Sequence, residues 1–336
     1  MTATPQPADV HPNPDVDRPS RAALKRGLAG VLAAEIAAHG PLKILHRREN
    51  PLVSSYVADI VHLRFADGHR EHLLCKFAHG RELTPPTPHE GLAHEAQVYA
   101  EVLGCCPLDS PHVFGGFTDD ETGDVVLVLR FYPDAVPAAK STDPAAVDSL
   151  ICWLAAFHEW TAARLAEPRW EFLARYDADL YAMWLERTIE LAAPFAAECP
   201  WLGRVAEAYR ERIPLLVAAP VAVIHGEFTT RNALWDHGRI LPIDWETAAM
   251  GPPEVDLAVF TYDWHPENIA VMERTYVAAR WGGTPPDGYA DRLIAARLYA
   301  AFHWLFGTPG GCSEERVRTH LMELHAEAVR WGIVAE

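Results

Sequence analysis

Residues 224–246 read IHGEFTTRNALWDHGRILPIDWE, and this stretch contains two short apolar runs that each end in polar residues. The first run leads into a His-Gly-Glu sequence, and Asn232 follows five residues after Glu227. Asp244 comes directly after the second run. The Asp-His-Gly turn signal between the runs predicts a hairpin. Such a hairpin would bring the segment around Asn232 beside Asp244.

These three polar residues match the needs of a reaction that transfers a phosphoryl group. An amide oxygen and a carboxylate can share Mg²⁺, which takes oxygen ligands and keeps other positions for water and phosphate. A further carboxylate, that of Glu227, could orient or deprotonate a hydroxyl group. Taken singly, each residue has an ordinary explanation as a turn cap or loop acid. Their combination at this spacing predicts a metal-dependent phosphoryl-transfer site.

The composition limits the classes of partner. The chain has 336 residues, enough for two lobes or domains, and a formal net charge of −17. Nucleic acids and anionic membranes select surfaces rich in lysine and arginine, so we expect neither as a partner. The six cysteines form no Cys-x-x-Cys pair, which indicates reduced thiols in a cytoplasmic protein. No apolar run is long enough to predict a membrane-spanning helix.

The spacing of apolar residues divides the chain into four regions. Residues 1–20 predict a disordered tail, and residues 21–38 have the spacing of a helix. Residues 39–132 predict three strands, one helix and two further strands. Residues 133–336 read as helical, apart from the two short strands within 224–246. The sequence therefore predicts an α+β fold with a small antiparallel-sheet lobe and a larger, mainly helical lobe.

The stretch HGEFTTRN…IDWE resembles a motif of the aminoglycoside phosphotransferase and choline-kinase-like family, usually His-Gly-Asp-x-x-x-x-Asn and then Ile-Asp-Trp-Glu. Residues 251–260, GPPEVDLAVF, are similar to the segment that follows in that family. The family shares the two-lobed fold of protein kinases. The resemblance thus implies a bilobal protein-kinase-like fold, with a nucleotide-binding N-lobe at 39–132. The C-lobe at 133–336 would carry the catalytic loop and the acceptor site.

The resemblance also implies a role for each motif residue. Glu227 stands where the family has aspartate, and it would be the catalytic base with a side chain one methylene longer. Asn232 and Asp244 would hold Mg²⁺ and complete the catalytic set. His225 and Asp256 would brace the loop. Because reacting atoms must be placed to within about an ångström, the longer base predicts a shifted acceptor position.

The same resemblance implies a lysine on the third strand that holds the nucleotide phosphates. Lys76 interrupts the apolar strand LLCKFA, and Glu95 on the following helix is its expected partner. The alternative for Lys76 is a solvent-facing residue on an edge strand. Glu90 and Glu101 compete with Glu95 as the partner, but Glu95 lies on the helix face of Val98 and Tyr99.

The remaining nucleotide contacts carry weaker signals. The turn between the first two strands contains no glycine, and Ser54 and Ser55 could donate hydrogen bonds to phosphates or belong to an ordinary turn. Backbone groups at Arg130, Phe131 and Tyr132 would meet the edge of the base. The resemblance implies ATP with Mg²⁺, and it leaves GTP open as the nucleotide.

The acceptor is expected to be a hydroxyl group of a small molecule. Eight acidic residues against two arginines between 223 and 269 favour a cationic, aminoglycoside-like antibiotic, with an uncharged natural product as the alternative. The rival from another class is a non-catalytic nucleotide-binding pseudokinase scaffold. His158, in LAAFHEW, is interpreted as a packing residue or a local hydrogen-bonding group. A monomer and a homodimer both agree with the sequence.

Overall fold

The computed structural model describes residues 18–51, 56–78, 91–262, 264–304 and 313–335. Most of the predicted tail, and both Ser54 and Ser55, lie outside the described residues. The chain divides into two compact units. The first unit is Met1–Val136 with Leu234–Thr247, and the second is Pro137–Ala233 with Ala248–Glu336.

The first unit is built on a five-stranded antiparallel sheet in the order β1-β2-β3-β5-β4. Its strands are β1 (Lys43–Glu49), β2 (Val57–Arg64), β3 (Arg70–Phe77), β4 (Val113–Thr118) and β5 (Val125–Arg130). The order places β3 in the centre of the sheet, although it is third along the chain. The predicted succession of three strands, one helix and two strands is therefore the observed one.

Helices cover this sheet. They are α1 (Arg21–Val31), α2 (Ala33–His39) and α3 (Leu92–Glu101). The predicted single helix at 21–38 is interrupted at Leu32, whose φ and ψ are −98° and 29°. Leu24 and Leu28, one helical turn apart, join Leu32 and the buried residues of β2, β3 and β5 in one hydrophobic core. Helix α3 packs against β4 and β5.

A later segment of the chain returns to the first unit. It contains the hairpin of β8 (Ala233–Asp236) and β9 (Arg239–Pro242), as the turn signal predicted. His237 and Gly238 at the turn have φ values of 49° and 90°, which a tight hairpin turn requires. Trp245 beyond the hairpin is fully buried. The sequence analysis had assigned this segment to the lobe at 133–336, whereas the compact units group Leu234–Thr247 with the first unit.

The second unit is mainly helical. Its helices are α4 (Ala145–Ala162), α5 (Ala178–Ala192), α6 (Leu202–Arg210), α7 (Ile213–Val217), α8 (Glu254–Thr261), α9 (Pro266–Trp281), α10 (Tyr289–Trp304) and α11 (Glu314–Arg330). A short strand β6 (Val136–Pro137) lies where the units divide, and β7 (Ala222–Ile224) pairs antiparallel with β10 (Ala249–Gly251). Helix α4 packs on α9 and β7, and α10 packs on α8. Among the described residues, none of the helices combines the length and hydropathy needed to cross a bilayer.

Candidate active site

Lys76 lies at the centre of a buried ionic cluster in the first unit. It is on β3, the central strand, and its residue exposure is only 5%, which rules out the edge-strand alternative. Its Nζ lies 2.5 Å from Glu95 Oε2 and 2.7 Å from Asp244 Oδ1. Glu95 comes from α3 and Asp244 from the segment that returns after β9. Three separate parts of the sequence therefore meet at one ammonium group.

The backbone at Asp244 is held in an uncommon conformation. Its φ of 69° lies in the left-handed region, where aspartate is tolerated better than most residues. Its N–H donates to the hydroxyl oxygen of Tyr99, and Trp245 Nε1 donates to Pro242 O at 3.1 Å. These anchors on both sides keep the carboxylate beside Lys76. A strained residue that its surroundings hold in place is typical of functional sites.

The cluster contains more negative than positive charge. Burial alone would lower the pKa of Lys76, but the carboxylates of Asp244 and Glu95 together hold it well above its usual value. Burial and the neighbouring carboxylates of Asp244 and Glu246 raise the pKa of Glu95 to about 7, although the ammonium of Lys76 opposes the shift. Two carboxylates thus contact one ammonium group, and a third, that of Glu246, acts on Glu95. A divalent cation would relieve this excess.

Tyr56, just before β2, completes the cluster on another side. Its side chain is 8% exposed, and its ring centroid lies 5.4 Å from Lys76 Nζ. Its hydroxyl donates a hydrogen bond to Glu246, and burial followed by that carboxylate raises the pKa of the phenol. Glu246 is itself 7% exposed. The sequence interpretation gave Tyr56 no role and matched Glu246 only as part of a motif.

The predicted catalytic loop lies in the second unit. It begins after β7 with Gly226, whose φ of 86° explains the glycine at this turn. Asn232 Nδ2 donates to Glu227 O at 3.0 Å, and Glu227 N donates to His225 Nδ1 at 3.4 Å. The first bond orients the amide of Asn232, so that its oxygen is the atom left for a cation. Glu227 itself is half-buried.

Asp256 holds this loop by its backbone. The carboxylate lies on α8, is fully buried, and accepts hydrogen bonds from His225 N and Gly226 N, each at 2.8 Å. It also accepts one from His158 Nε2 at 3.0 Å. Because hydrogen bonds to a buried charged group are strong, Asp256 fixes the start of the loop. The expectation that His225 and Asp256 brace the loop thus has a structural basis, with Asp256 as the centre.

His158 corrects one sequence interpretation. It is fully buried on α4, and its hydrogen bonds reach residues 98 and 118 positions away rather than local groups. Arg280 Nη1 donates to Tyr276 Oη at 2.8 Å, so that hydroxyl donates to His158 Nδ1, also at 2.8 Å. His158 then carries its proton on Nε2 and donates to Asp256. Burial lowers the pKa of His158, so the imidazole is neutral.

The backbone segment predicted to contact the nucleotide base uses two of its N–H groups inside the protein. The N–H of Arg130 donates to His112 O at 2.8 Å, and that of Phe131 to His72 O at 2.7 Å. Both donors are therefore used inside the protein. The side chain of Arg130 pairs with Glu71. Within the described part of the chain, the N–H of Tyr132 makes no backbone–backbone hydrogen bond, so the predicted contact with a base stays open at this donor.

The count of acidic residues also has a different meaning in the structure. Of the eight acids between 223 and 269, five are bound inside the protein, and these are Asp236 (to Arg239), Asp244 (to Lys76), Glu246 (to Tyr56), Glu254 (to Arg292) and Asp256. Charges that are neutralised by internal partners do not attract a cationic ligand. Asp236, Asp244 and Glu254 are neutralised in this way, whereas Glu246 and Asp256 accept hydrogen bonds from uncharged donors, so the structure reduces the acidic excess without removing it.

Asn232 and Asp244, the predicted metal ligands, belong to different units, and so do Glu227 and Lys76. Their joint site stays a prediction. In the ranges that the structure describes, no group of three or more histidine, cysteine, aspartate or glutamate side chains is arranged to hold a metal ion by itself. Mg²⁺ often takes only one or two carboxylates from the protein, so the residues present fit it.

Comparison with known proteins places this geometry in a family. The model of the phosphotransferase enzyme family matches residues 54–296. Among curated proteins, no sequence matches significantly. The fold is shared by solved structures, three of which follow. Their sequence identity to this chain is so low that the likeness shows the fold alone.

The GDP complex of wild-type aminoglycoside 2'-phosphotransferase-IIIa is 15% identical, with a TM-score of 0.62 over 91% of this chain and 99% of that one. Choline kinase LicA from Streptococcus pneumoniae is 14% identical, with a TM-score of 0.58 over 90% and 99%. Macrolide 2'-phosphotransferase type I is 18% identical, with a TM-score of 0.55 over 88% and 96%. The predicted bilobal, protein-kinase-like fold is confirmed. The chain belongs to the phosphotransferase enzyme family.

Proposed function

We propose that this protein transfers the γ-phosphoryl group of ATP to a hydroxyl group of a small molecule. The observation that carries the proposal is the cluster of Lys76 with Glu95 and Asp244, because a buried ammonium between two carboxylates can exchange one of them for phosphate oxygens. Family membership supports the reaction class. One solved structure of the same fold is named as a GDP complex, which supports nucleotide use.

The residues divide the work of the reaction between them. Lys76, oriented by Glu95, contacts the α- and β-phosphates. Asp244 and the amide oxygen of Asn232 would hold Mg²⁺, which would supply positive charge at the phosphates. Glu227 accepts the proton of the acceptor hydroxyl. The hydroxyl oxygen then forms a bond to the γ-phosphorus, and the bond to the β–γ bridging oxygen breaks to release the nucleoside diphosphate.

The acceptor class rests on the family and on the named neighbours. Proteins of this fold are named for phosphotransfer to aminoglycosides, macrolides and choline, which are all small molecules with hydroxyl groups. We propose an antibiotic or a related natural product as the acceptor. Charge favours aminoglycosides less strongly than the sequence count does, because three of the nearby acids are paired with cationic side chains inside the protein. An uncharged natural product with a hydroxyl group therefore stays an alternative acceptor.

A screen with matched variants tests the proposal. Purified protein with ATP or GTP and Mg²⁺ is incubated with aminoglycosides, macrolides and amino-alcohols, and acceptor-dependent release of diphosphate is measured. We expect turnover with at least one acceptor, and a higher melting temperature in nucleotide with Mg²⁺. A melting temperature unchanged by millimolar ATP or GTP with either Mg²⁺ or Mn²⁺ would exclude both enzyme and nucleotide-binding scaffold.

One observation favours the alternative of a non-catalytic pseudokinase scaffold, namely that Glu227 stands where the family has its catalytic aspartate. The variant Glu227→Asp distinguishes the two functions. If the loop is adapted to glutamate, the shorter side chain lowers turnover because its carboxylate falls short of the hydroxyl. A wild type that binds nucleotide but is inactive on every acceptor, together with an active Glu227→Asp variant, would favour the scaffold.

A further inference from the structure

A series of hydrogen bonds, here called the α9 network, leads from helix α9 to the backbone of the predicted catalytic loop. It begins with two residues one turn apart on α9, where Arg280 Nη1 donates to Tyr276 Oη at 2.8 Å. Tyr276 Oη bonds to His158 Nδ1 on α4, also at 2.8 Å, and His158 Nε2 bonds to Asp256 Oδ2 on α8 at 3.0 Å. All four residues lie in the second unit. The network thus joins three helices.

The direction of each bond in the α9 network is fixed by its first member. A guanidinium can only donate, so the Tyr276 hydroxyl accepts from Arg280 and uses its own proton for His158 Nδ1. His158 then carries its proton on Nε2 and donates it to the carboxylate of Asp256. Because Tyr276, His158 and Asp256 are fully buried, bulk water cannot replace a partner that one of them loses.

The network ends on the backbone that carries Glu227. Asp256 accepts hydrogen bonds from His225 N at Oδ2 and from Gly226 N at Oδ1, each at 2.8 Å. The N–H of Glu227 donates in turn to His225 Nδ1 at 3.4 Å. A network that only packed α9 on α4 would not need to end on the N–H groups of this loop. The position of α9 is thereby connected to that of the proposed base.

We propose that Tyr276 is a positioning residue for Glu227. This inference rests on the proposed function, in which Glu227 accepts the proton of the acceptor hydroxyl. Tyr276 acts through His158, which is bonded at both ring nitrogens and therefore keeps Asp256 in one position against the loop. Without the Tyr276 hydroxyl, the imidazole is held at one nitrogen only. Because a displacement of about one ångström can cost a large part of the rate, a looser loop lowers turnover.

Steady-state kinetics of Tyr276→Phe test this role, because the ring stays and only the hydroxyl is removed. Turnover should fall about tenfold, while KM for the nucleotide should stay within about twofold, since Lys76, proposed to contact its phosphates, lies in the first unit. The matched control is Tyr209→Phe, which removes the hydroxyl of another fully buried tyrosine of the second unit, one that donates to Tyr181 O at 3.4 Å. Its turnover should stay within about twofold of wild type.

A double-mutant cycle with Glu227→Gln separates positioning from a general loss of stability. In the Glu227→Gln background no base is left to position, so Tyr276→Phe should lower the residual turnover by less than about twofold. A variant that merely weakens the fold would lower turnover by the same factor in both backgrounds.

A second readout needs no turnover. Hydrogen exchange of residues 222–232, followed by peptide mass spectrometry, measures how often the loop opens. Exchange should be at least about threefold faster in Tyr276→Phe than in Tyr209→Phe. If Tyr276→Phe does not fold, Arg280→Met takes its place, because it removes the donor that orients the hydroxyl and leaves the hydroxyl itself. Faster exchange than in the control is expected there as well.

The outcomes separate this proposal from the proposed function. Loop exchange no faster than in Tyr209→Phe, or equal effects of Tyr276→Phe on turnover with and without Glu227, would overturn the positioning role. A wild type that turns over no acceptor would overturn the proposed function, while the exchange measurement would still decide whether Tyr276 holds the loop.

Discussion

Asp244 and Asp256 lie twelve positions apart in the chain, and the structure uses them in opposite ways. Asp244, with a side chain 21% exposed, is paired with the flexible ammonium of Lys76. Asp256 is fully buried and bound by two backbone N–H groups and one imidazole. An ammonium on a four-carbon side chain can move aside for a ligand, whereas backbone donors cannot. The carboxylate of Asp244 is thus available for exchange with a ligand, and that of Asp256 fixes the loop after β7.

The charge balance around the two carboxylates also differs. Around Asp244, acids outnumber the ammonium, so the first-unit cluster is poised to gain positive charge. Around Asp256, His158 is neutral and each hydrogen bond has a defined donor, so the network is satisfied. A network in which every hydrogen-bonding group has a partner stiffens the structure, whereas a cluster with excess negative charge can bind a cation. We therefore expect substitutions around Asp256 to lower the stability of the fold, and substitutions around Asp244 to change the binding of ligands.

Asp256→Ala is expected to have the largest effect. It leaves two buried N–H groups and His158 without their acceptor, so the free energy of unfolding should fall by about 3–5 kcal/mol. Chemical denaturation measures this change. A loss below about 1 kcal/mol would contradict the view that Asp256 fixes the loop.

Glu227→Gln should reduce turnover by about 10²–10⁴-fold, because an amide cannot accept the proton of the acceptor. Nucleotide affinity should stay within about threefold of wild type, since Glu227 is proposed to contact only the acceptor. The measurements are steady-state kinetics and calorimetric nucleotide titration. Turnover that survives the substitution would show that the reaction needs no base at this position.

Glu95 predicts a dependence of stability on pH. Burial and neighbouring acids raise the pKa of Glu95 in the folded state to about 7, from its usual 4.5. Between these values the folded state binds the proton and the unfolded state does not, so the free energy of unfolding falls as pH rises through this window. The loss is about 3 kcal/mol, from about 1.36 kcal/mol per pKa unit. Lys76 contributes no slope there because it stays protonated in both states.

The control for this slope is Glu95→Gln, which removes the titrating group. Urea denaturation at several pH values between 4.5 and 7 should show a flatter profile for the variant than for wild type. Equal slopes would mean that Glu95 titrates normally, and the proposed excess of acid around Lys76 would be wrong.

Asp244→Ala should have the smallest effect on the protein without ligand, below about 1 kcal/mol, because Lys76 keeps Glu95 and one of the two carboxylates that contact it is removed. The part of the nucleotide-induced rise in melting temperature that depends on Mg²⁺ should nevertheless disappear. Thermal shifts with and without Mg²⁺ measure both effects. A destabilisation as large as that of Asp256→Ala would remove the distinction between the two carboxylates.

Much of this arrangement was predictable from local sequence. The strands of the sheet and the hairpin before Asp244 follow from alternation of apolar residues and from turn signals, which act over a few residues. Lys76 was recognisable because a charge within an apolar strand needs a partner. His158 was misjudged because its partners are 98 and 118 positions away, and helix periodicity shows only that it faces the core.

By itself, the sequence determined the fold class, the motif residues and the pairing of Lys76 with Glu95, because these depend on periodicity, turn chemistry and a resemblance to a family. Only the tertiary structure decided which acids are already bound, which backbone donors near Tyr132 remain, and that Tyr56 contacts both Lys76 and Glu246. Burial and hydrogen bonds between distant segments set the charge state and the availability of each group. Those quantities arise when separate parts of the chain exclude water together, and no local pattern records them.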